Sequence, residues 1–136
     1  MTLGTLREQL IYPSSQSDLD DTEFQAALDR VNLPDLIDRC GGLSATRNWS
    51  EELSLGEQQR LAFARVLINR PRFVILDEST SALDVPNEER LYQHLQETGV
   101  TYVSVGHRPT LRQYHRLVLE VFETANWQLQ PSHNGN

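Results

Sequence analysis

Apolar residues along the chain change their spacing near residue 53, and this change divides the sequence into two parts. Before it, apolar side chains recur every three or four positions in short runs, as at Phe24, Leu28 and Val31. This spacing places them on one face of a helix, so residues 1–52 are expected to be mainly helical. The predicted elements are a helix carrying Leu6, Leu10 and Ile11, a helix capped by Asp21 or Thr22, a short helix from Pro34 to Gly41 and Gly42, and a loop over 43–52 containing Trp49.

The second part alternates helices with short apolar runs. Ser54 and Glu57 fit the S-x-x-E capping box at the start of a helix, which Pro71 ends. The run at 73–76 is continuously apolar, as expected for a buried parallel strand. Further expected elements are a helix over 86–97 closed by Gly99, a strand over 100–105, two strands over 117–122 and 127–129 around a turn near Asn126, and a disordered tail from Pro131.

The predicted strand, helix and strand over 73–105 form a βαβ unit, whose crossover is expected to be right-handed and whose strands are then parallel. The sequence therefore predicts an α/β fold in which helices flank a parallel sheet. We expect a helical subdomain over 1–52, a helix over 53–70, the α/β core over 71–130 and the tail over 131–136.

Polar side chains follow both predicted parallel strands. Asp77 and Glu78 end the first strand, and His107 follows the second. In open α/β sheets ligands bind outside the carboxyl ends of the strands. Two adjacent carboxylates at such an end are how a P-loop ATPase places a magnesium ligand beside a catalytic group, and a polar turn at a helix start favours anions. The pattern predicts a site for nucleotide phosphate. It would contain a carboxylate able to bind a metal ion, a possible base, and a polar side chain, His107, that contacts the ligand.

Composition narrows the possible partners. The formal net charge is -7, and all 12 basic residues are arginines, so the chain lacks the basic surface that nucleic-acid binding needs. The single cysteine, Cys40, excludes an intrachain disulfide and favours a reducing compartment. No apolar stretch approaches the roughly 20 residues that span a bilayer, so a membrane role is expected to come through a partner.

Four motifs of the second part resemble those of ABC-transporter nucleotide-binding domains, and they stand in that family's order. LSLGEQQR at 53–60 resembles the signature motif, whose usual core is LSGGQ, and FVILDE at 73–78 resembles the Walker B strand with its trailing glutamate. SALD at 81–84 matches the D-loop, and His107 stands where the family has its switch histidine. The opening TLGTLREQLIYP resembles the segment after the family's Q-loop. Within the family, the chain resembles half-size transporters of the peroxisomal fatty-acyl type and their bacterial relatives.

This resemblance implies a P-loop NTPase-like sheet preceded by a helical signature subdomain, with ATP and Mg²⁺ as ligands. Asp77 would hold Mg²⁺, Glu78 would act as general base on the attacking water, and His107 would hydrogen-bond the γ-phosphate. Each ATP would lie between two nucleotide-binding domains arranged head to tail. The residues expected to act across that dimer are Ser54, Gly56 and Glu57 of the signature motif and Ser81 and Asp84 of the D-loop.

The resemblance also implies a transmembrane domain as partner and a position on the cytoplasmic face of a membrane. Two residues depart from the family pattern: Leu55 replaces the first glycine of LSGGQ, and Glu57 replaces its glutamine. Glu57 would bring a negative charge near the phosphate unless its capping-box hydrogen bond turns it away.

The chain contains no lysine, whereas a Walker A loop, G-x-x-x-x-G-K-[ST], needs one to hold the phosphates. We therefore expect the C-terminal part of a nucleotide-binding domain, whether a gene fragment, a split gene or an incomplete sequence. It would be an ABC-type ATPase by family but inactive alone, and it would need a segment or chain that carries Walker A. Its uncovered apolar faces would then promote self-association.

Two alternatives remain open at this stage. The chain could be a non-catalytic remnant, or a module that supplies the signature motif to another chain. An ABC ATPase of DNA repair fits less well with the acidic charge. We expect His94, His115 and His133 on the surface and Trp49 and Trp127 as packing anchors. Arg60 and Arg65 are expected to be helix-surface charges or salt-bridge partners.

Overall fold

The computed structural model describes residues 3–132, so most of the predicted tail and His133 lie outside the described residues. Six α-helices, six strands and one 3-10 helix follow each other along this part of the chain. In chain order they are β1 (Leu3–Thr5), α1 (Leu6–Ile11), α2 (Asp21–Arg30), α3 (Leu36–Cys40), β2 (Thr46–Asn48), α4 (Trp49–Glu52), α5 (Leu55–Asn69), β3 (Phe73–Asp77), α6 (Val85–Thr98), β4 (Thr101–Val105), the 3-10 helix (Pro109–Tyr114), β5 (Leu117–Val121) and β6 (Trp127–Pro131).

Helices α1, α2 and α4 of the first part pack on α5. The predicted apolar faces of α1 and α2 are buried there, with Leu6, Leu10, Phe24 and Leu28 fully inaccessible to solvent. The N-cap of α2 is Asp20 rather than Asp21 or Thr22, because the Asp20 carboxylate accepts a hydrogen bond from the Glu23 amide at 2.9 Å. The helix thus begins at Asp21, the first of the two residues expected to cap it.

Residues 43–52 are not the predicted loop. β2 pairs antiparallel with β1, from Leu3 opposite Asn48 to Thr5 opposite Thr46, and α4 follows directly. Trp49 explains this arrangement, since its ring is fully buried and its Nε1 donates to the carbonyl oxygen of Gly4 at 2.9 Å. The pairing joins segments more than 40 residues apart, which local patterns do not reveal.

The βαβ unit forms as predicted. β3 and β4 are parallel, in register from Phe73 opposite Thr101 to Asp77 opposite Val105, and α6 connects them. Gly99 ends α6 in the left-handed conformation, at a φ of 72° that suits glycine. The structure is thus a mixed α/β fold containing a small parallel sheet.

Only one face of this sheet is covered, so the expectation that 73–76 is a buried strand is wrong for half its residues. Leu76 packs into the hydrophobic core, and Val74 and Tyr102 pack against it. The other face is open, and the apolar side chains on it are strongly exposed: Phe73 at 74%, Ile75 at 78%, Val103 at 58% and Val105 at 52%. Parallel sheets are normally covered on both faces.

β5 and β6 form the predicted antiparallel hairpin, with Leu119 opposite Leu129. Trp127 is 69% exposed, so it is not the packing anchor that we expected. Pro131 lies within β6, and the Ser132 amide donates to the carbonyl oxygen of Arg116 at 2.9 Å. The predicted tail therefore does not begin at Pro131.

His115 and Arg65, expected on the surface or in a surface ion pair, are instead partly buried. The ring of His115 makes edge contacts with the rings of Tyr92 and Tyr102, and its Nε2 is 2.8 Å from the Ser104 hydroxyl. Arg65 is partly buried and donates from Nε to the carbonyl oxygen of Gln9. Among residues 3–132, no helix combines the length and the apolar character that crossing a membrane requires.

Candidate functional site

The start of α5 and the carboxyl end of β3 lie at one edge of the molecule, beside a shallow cavity of about 260 Å³. Leu55, Gln58 and Gln59 are among the residues of α5 that line the cavity. Asp77, Glu78 and Ser79 line it from the end of the strand. The parallel β3 and β4 both point their carboxyl ends toward this edge, so the residues that follow the two strands lie close together here.

Glu78 and His107, which follow neighbouring strands, come into contact here. The Nε2 atom of His107 lies 3.4 Å from Oε1 of Glu78, and both side chains reach solvent, at 95% and 42% exposure. Glu78 has a φ of 51°, a left-handed conformation that costs a residue with a side chain about 1–3 kcal/mol. Its amide donates to the carbonyl oxygen of Val105 at 2.8 Å, which ties this turn to the end of β4. A solvent-accessible carboxylate and imidazole in contact can hold and polarise a water molecule.

Asp77 is exposed at the last position of β3, beside Glu78. Among residues 3–132, no group of three or more His, Cys, Asp or Glu side chains is arranged to hold a metal ion. A single carboxylate nevertheless fits Mg²⁺, which is commonly bound through one or two carboxylates together with waters and substrate phosphates.

The predicted capping box forms at the start of α5. Ser54 Oγ accepts from the Glu57 amide at 3.1 Å, and Glu57 Oε1 accepts from the Ser54 amide at 3.0 Å. Arg39 of α3 pairs with Glu57 Oε2 at 2.5 Å. Burial acts to raise the pKa of the Glu57 carboxyl, but the Ser54 amide and the Arg39 guanidinium outweigh it, so this pKa lies below its ordinary value of 4.5. The carboxylate is thus turned back on the helix start and paired with a cation.

Gly56 packs closely against the loop that follows β3. A Cβ atom at this position would lie 3.4 Å from the carbonyl oxygen of Ala82 and 3.6 Å from the Leu83 side chain. Both are ordinary van der Waals distances, so packing against this loop does not by itself require a glycine at position 56.

Ser81 and Asp84 belong to the loop that joins β3 to α6. Ser81 is exposed, and its hydroxyl accepts from Nε2 of Gln59 at 2.9 Å. Asp84 is the N-cap of α6, accepting from the amide and the side chain of Asn87 at 2.9 Å. Both residues are therefore engaged in contacts within the chain, which sequence reasoning did not assign to them.

A buried polar network behind the site was not predicted. Glu88 is fully buried and accepts from the hydroxyls of Thr80 at 2.8 Å and Thr110 at 2.6 Å. Arg108 lies 3.0 Å from the same carboxylate and donates to the carbonyl oxygens of Thr80 and Leu83. The network joins the loop after β3, helix α6 and the segment after His107. One signal was present in the sequence, since Glu88 shares a helical face with the buried Leu91 and Leu95.

Gln59 was also missed, although its side chain contacts Glu78, Ser81 and Ala82. A polar residue on a helix gives no local sign that it reaches a loop twenty residues further along the chain.

Comparison with known proteins places these features in one family. The family model described as ABC transporter matches residues 3–81, more than half of the chain. An uncharacterized ABC transporter ATP-binding protein of Synechocystis is 61% identical over 98% of this chain and 20% of its own length. The chloroplastic ABC transporter D family member 2 of Arabidopsis thaliana is 40% identical over 96% of the chain and 23% of its own length. The chain thus spans about a fifth of the length of these relatives.

A solved structure supports the same assignment. A bacterial Atm1-family ABC exporter with ATP bound matches with a TM-score of 0.71 and 26% identity, over 88% of this chain and 21% of that one. The D-family and cyanobacterial relatives agree with the predicted group within the family. The motifs, the fold and the comparisons lead to one conclusion: the chain belongs to the ABC transporter family.

Proposed function

We propose that the chain is the C-terminal part of the nucleotide-binding domain of an ABC transporter, coupling ATP binding and hydrolysis to transport across a membrane. The observation that carries this proposal is the contact between Glu78 and His107 at the sheet edge, beside the start of α5. General-base catalysis needs a carboxylate that reaches water and a neighbour that orients it, and this pair has both properties.

Within this proposal Asp77, Glu78 and His107 have different roles. Mg²⁺, held by Asp77, would neutralise phosphate charge, while Glu78 accepts the proton of the attacking water. His107 orients that water and donates a hydrogen bond to the γ-phosphate. The support for these roles is position: Asp77 and Glu78 are consecutive at the end of β3, and His107 reaches the same point from the end of β4.

The start of α5 serves a second nucleotide in this proposal, one held by a partner domain in a head-to-tail dimer. Ser54 is the N-cap of α5 and the Gly56 amide lies in its first turn, where the backbone dipole favours a phosphate. Glu57 does not oppose this, because it is turned onto the Ser54 amide and paired with Arg39. Ser81 and Asp84 lie on the loop that would meet the partner domain.

The open face of the parallel sheet supports a further partner, a segment that carries Walker A. Phe73, Ile75, Val103 and Val105 form a contiguous apolar surface, and burying such a surface is strongly favourable. Because the chain contains no lysine, we propose that it does not hydrolyse ATP alone. A transmembrane domain would hold the assembled protein at the cytoplasmic face of a membrane.

The proposal is tested by mixing the chain with the preceding Walker A segment of the Synechocystis relative and measuring phosphate release from ATP. We expect hydrolysis by the mixture and none by either part alone. Asp77→Ala and Glu78→Gln in this chain should abolish the activity of the mixture. Hydrolysis by the chain alone would refute its predicted dependence on a partner. A complex that forms but stays inactive would favour the non-catalytic module.

A further inference from the structure

Gln59 uses both ends of its side chain to hold the loop that begins at Glu78. Its Nε2 donates to the Glu78 carbonyl oxygen at 3.2 Å and to the Ser81 hydroxyl at 2.9 Å. Its Oε1 accepts from the Ala82 amide at 2.9 Å. Three of the four hydrogen bonds that a glutamine amide can make are thus directed to a single loop.

The neighbouring Gln58 shows that this arrangement is not a general property of the helix. Gln58 is also half-buried on α5 and also donates to backbone carbonyl oxygens, those of Ser50 and Leu53. Its contacts fasten the helix to the segment before it, whereas those of Gln59 cross to a different part of the fold. The two adjacent glutamines therefore form a matched pair for experiment.

The loop that Gln59 holds carries backbone strain. Glu78 adopts a φ of 51°, a conformation that persists in a residue with a side chain only where its surroundings enforce it. The hydrogen bond from Gln59 reaches the carbonyl oxygen of this same residue, and the Ser81 amide donates to that oxygen at 3.3 Å. Gln59 thus joins α5 to the strained turn by side-chain hydrogen bonds.

We propose that Gln59 is a positioning residue that fixes the Glu78 carboxylate relative to the start of α5. This inference rests on the proposed function, in which the start of α5 meets the nucleotide of a partner domain while Glu78 acts on the nucleotide of its own domain. A movement of α5 on contact with the partner's nucleotide is then transmitted through one amide to the general base. Gln59 links the two ATP sites of the dimer.

The first test needs no nucleotide. The ¹³Cα chemical shift of Glu78, which reports its backbone conformation, is measured by NMR in the full chain carrying Gln59→Ala, Gln59→Glu or Gln58→Ala. We expect both Gln59 variants to shift this resonance away from the left-handed value and Gln58→Ala to leave it unchanged. Gln59→Glu keeps an oxygen for the Ala82 amide but places a second oxygen against the Glu78 carbonyl, so it separates the two contacts.

Hydrogen exchange gives a second readout from the same samples. The Ala82 amide should exchange about tenfold faster in Gln59→Ala, the factor that corresponds to one net hydrogen bond, and should keep its protection in Gln59→Glu. A Glu78 resonance that stays in place in both Gln59 variants would overturn the proposal. So would an equal response to Gln58→Ala, because that would indicate a general loosening of α5.

The functional test uses the mixture with the Walker A segment. Gln59→Ala should lower kcat at least tenfold with little change in KM for ATP, since it misplaces the base without touching the nucleotide. Gln58→Ala should lower kcat much less, because its hydrogen bonds do not reach the loop that begins at Glu78. A matched loss of activity in both variants would reject the positioning role. An inactive wild-type mixture would count against the proposed function, while the resonance of Glu78 would still decide whether Gln59 holds the turn.

Discussion

Replacing Arg108 should be among the most damaging single changes in this chain, because it would leave a buried charge without its partner. Glu88 has no solvent exposure, and Arg108 approaches it at 3.0 Å. Arg108→Met keeps much of the volume of the side chain but removes the cation and its donors. The same guanidinium donates to the carbonyl oxygens of Thr80 at 2.7 Å and Leu83 at 2.8 Å, which lose those bonds as well.

The magnitude follows from the burial of the carboxylate. Removing one partner of a buried ion pair typically costs about 3–5 kcal/mol, because the remaining charge is uncompensated. The hydroxyls of Thr80 and Thr110 still donate to Glu88 and moderate the loss, so we expect about 3 kcal/mol for Arg108→Met. Glu88→Gln removes the charge and keeps the shape, and we expect a smaller cost of about 1.5–2 kcal/mol. The double variant should cost clearly less than the sum of the two.

Urea unfolding monitored by tryptophan fluorescence measures these differences. Trp49 is fully buried and Trp127 is exposed, so a Trp127→Phe background leaves one reporter that changes its surroundings on unfolding. Arg112→Met is the control, because Arg112 pairs with Glu120 at the surface at 3.5 Å and such pairs contribute less than about 1 kcal/mol. Equal costs for Arg108→Met and Arg112→Met, or simple additivity in the double variant, would refute the reasoning.

Four further predictions concern the helix start, the open sheet face and the cysteine. Ser54→Ala should cost about 1 kcal/mol in urea unfolding through the lost cap. The pKa of Glu57 in the folded chain lies below its ordinary value of 4.5, so the ionised carboxylate stabilises the fold at pH values above 4.5. The difference in unfolding free energy between wild type and Glu57→Gln should therefore shrink as the pH falls below 4.5. Combining Ile75→Thr with Val103→Thr should reduce self-association in analytical ultracentrifugation. Unchanged self-association would show that the open face of the parallel sheet does not mediate it. The buried Cys40, whose thiol pKa is raised by burial, should react with a thiol reagent far more slowly in the native chain than in urea, and equal rates would contradict its burial.

The parts of the fold that could be predicted are those encoded in short stretches of sequence. The helix caps at Ser54 and Gly99 follow from local hydrogen bonding and from glycine's access to positive φ, and both form. The βαβ unit follows from the spacing of apolar residues and from the parallel direction of its two strands. The parallel direction also brings Glu78 and His107 to one edge of the sheet. The functional roles of these residues stay predictions, because geometry alone shows proximity and not chemistry.

The parts that could not be predicted depend on contacts between distant segments. The β1–β2 pair requires Trp49 to reach Gly4, and no periodicity within 43–52 indicates this contact. The inward position of Arg65 likewise depends on the Gln9 carbonyl oxygen, 56 residues earlier. Continuous apolar runs such as 73–76 predict a buried strand. Burial also requires other elements that cover the sheet, and the sequence of the strand does not indicate which elements these are.

Glu57 shows how such a distant contact changes the meaning of a motif. Considered alone, a glutamate in place of the family's glutamine places a negative charge at a helix start and opposes phosphate there. In the folded chain one carboxylate oxygen accepts from the Ser54 amide and the other forms an ion pair with Arg39. The negative charge of Glu57 is therefore compensated by the Arg39 guanidinium. Arg39 lies on α3, in the part of the chain before the signature motif. The departure at Glu57 is therefore compatible with an anion at the start of α5, and the residue that makes it compatible lies outside the motif.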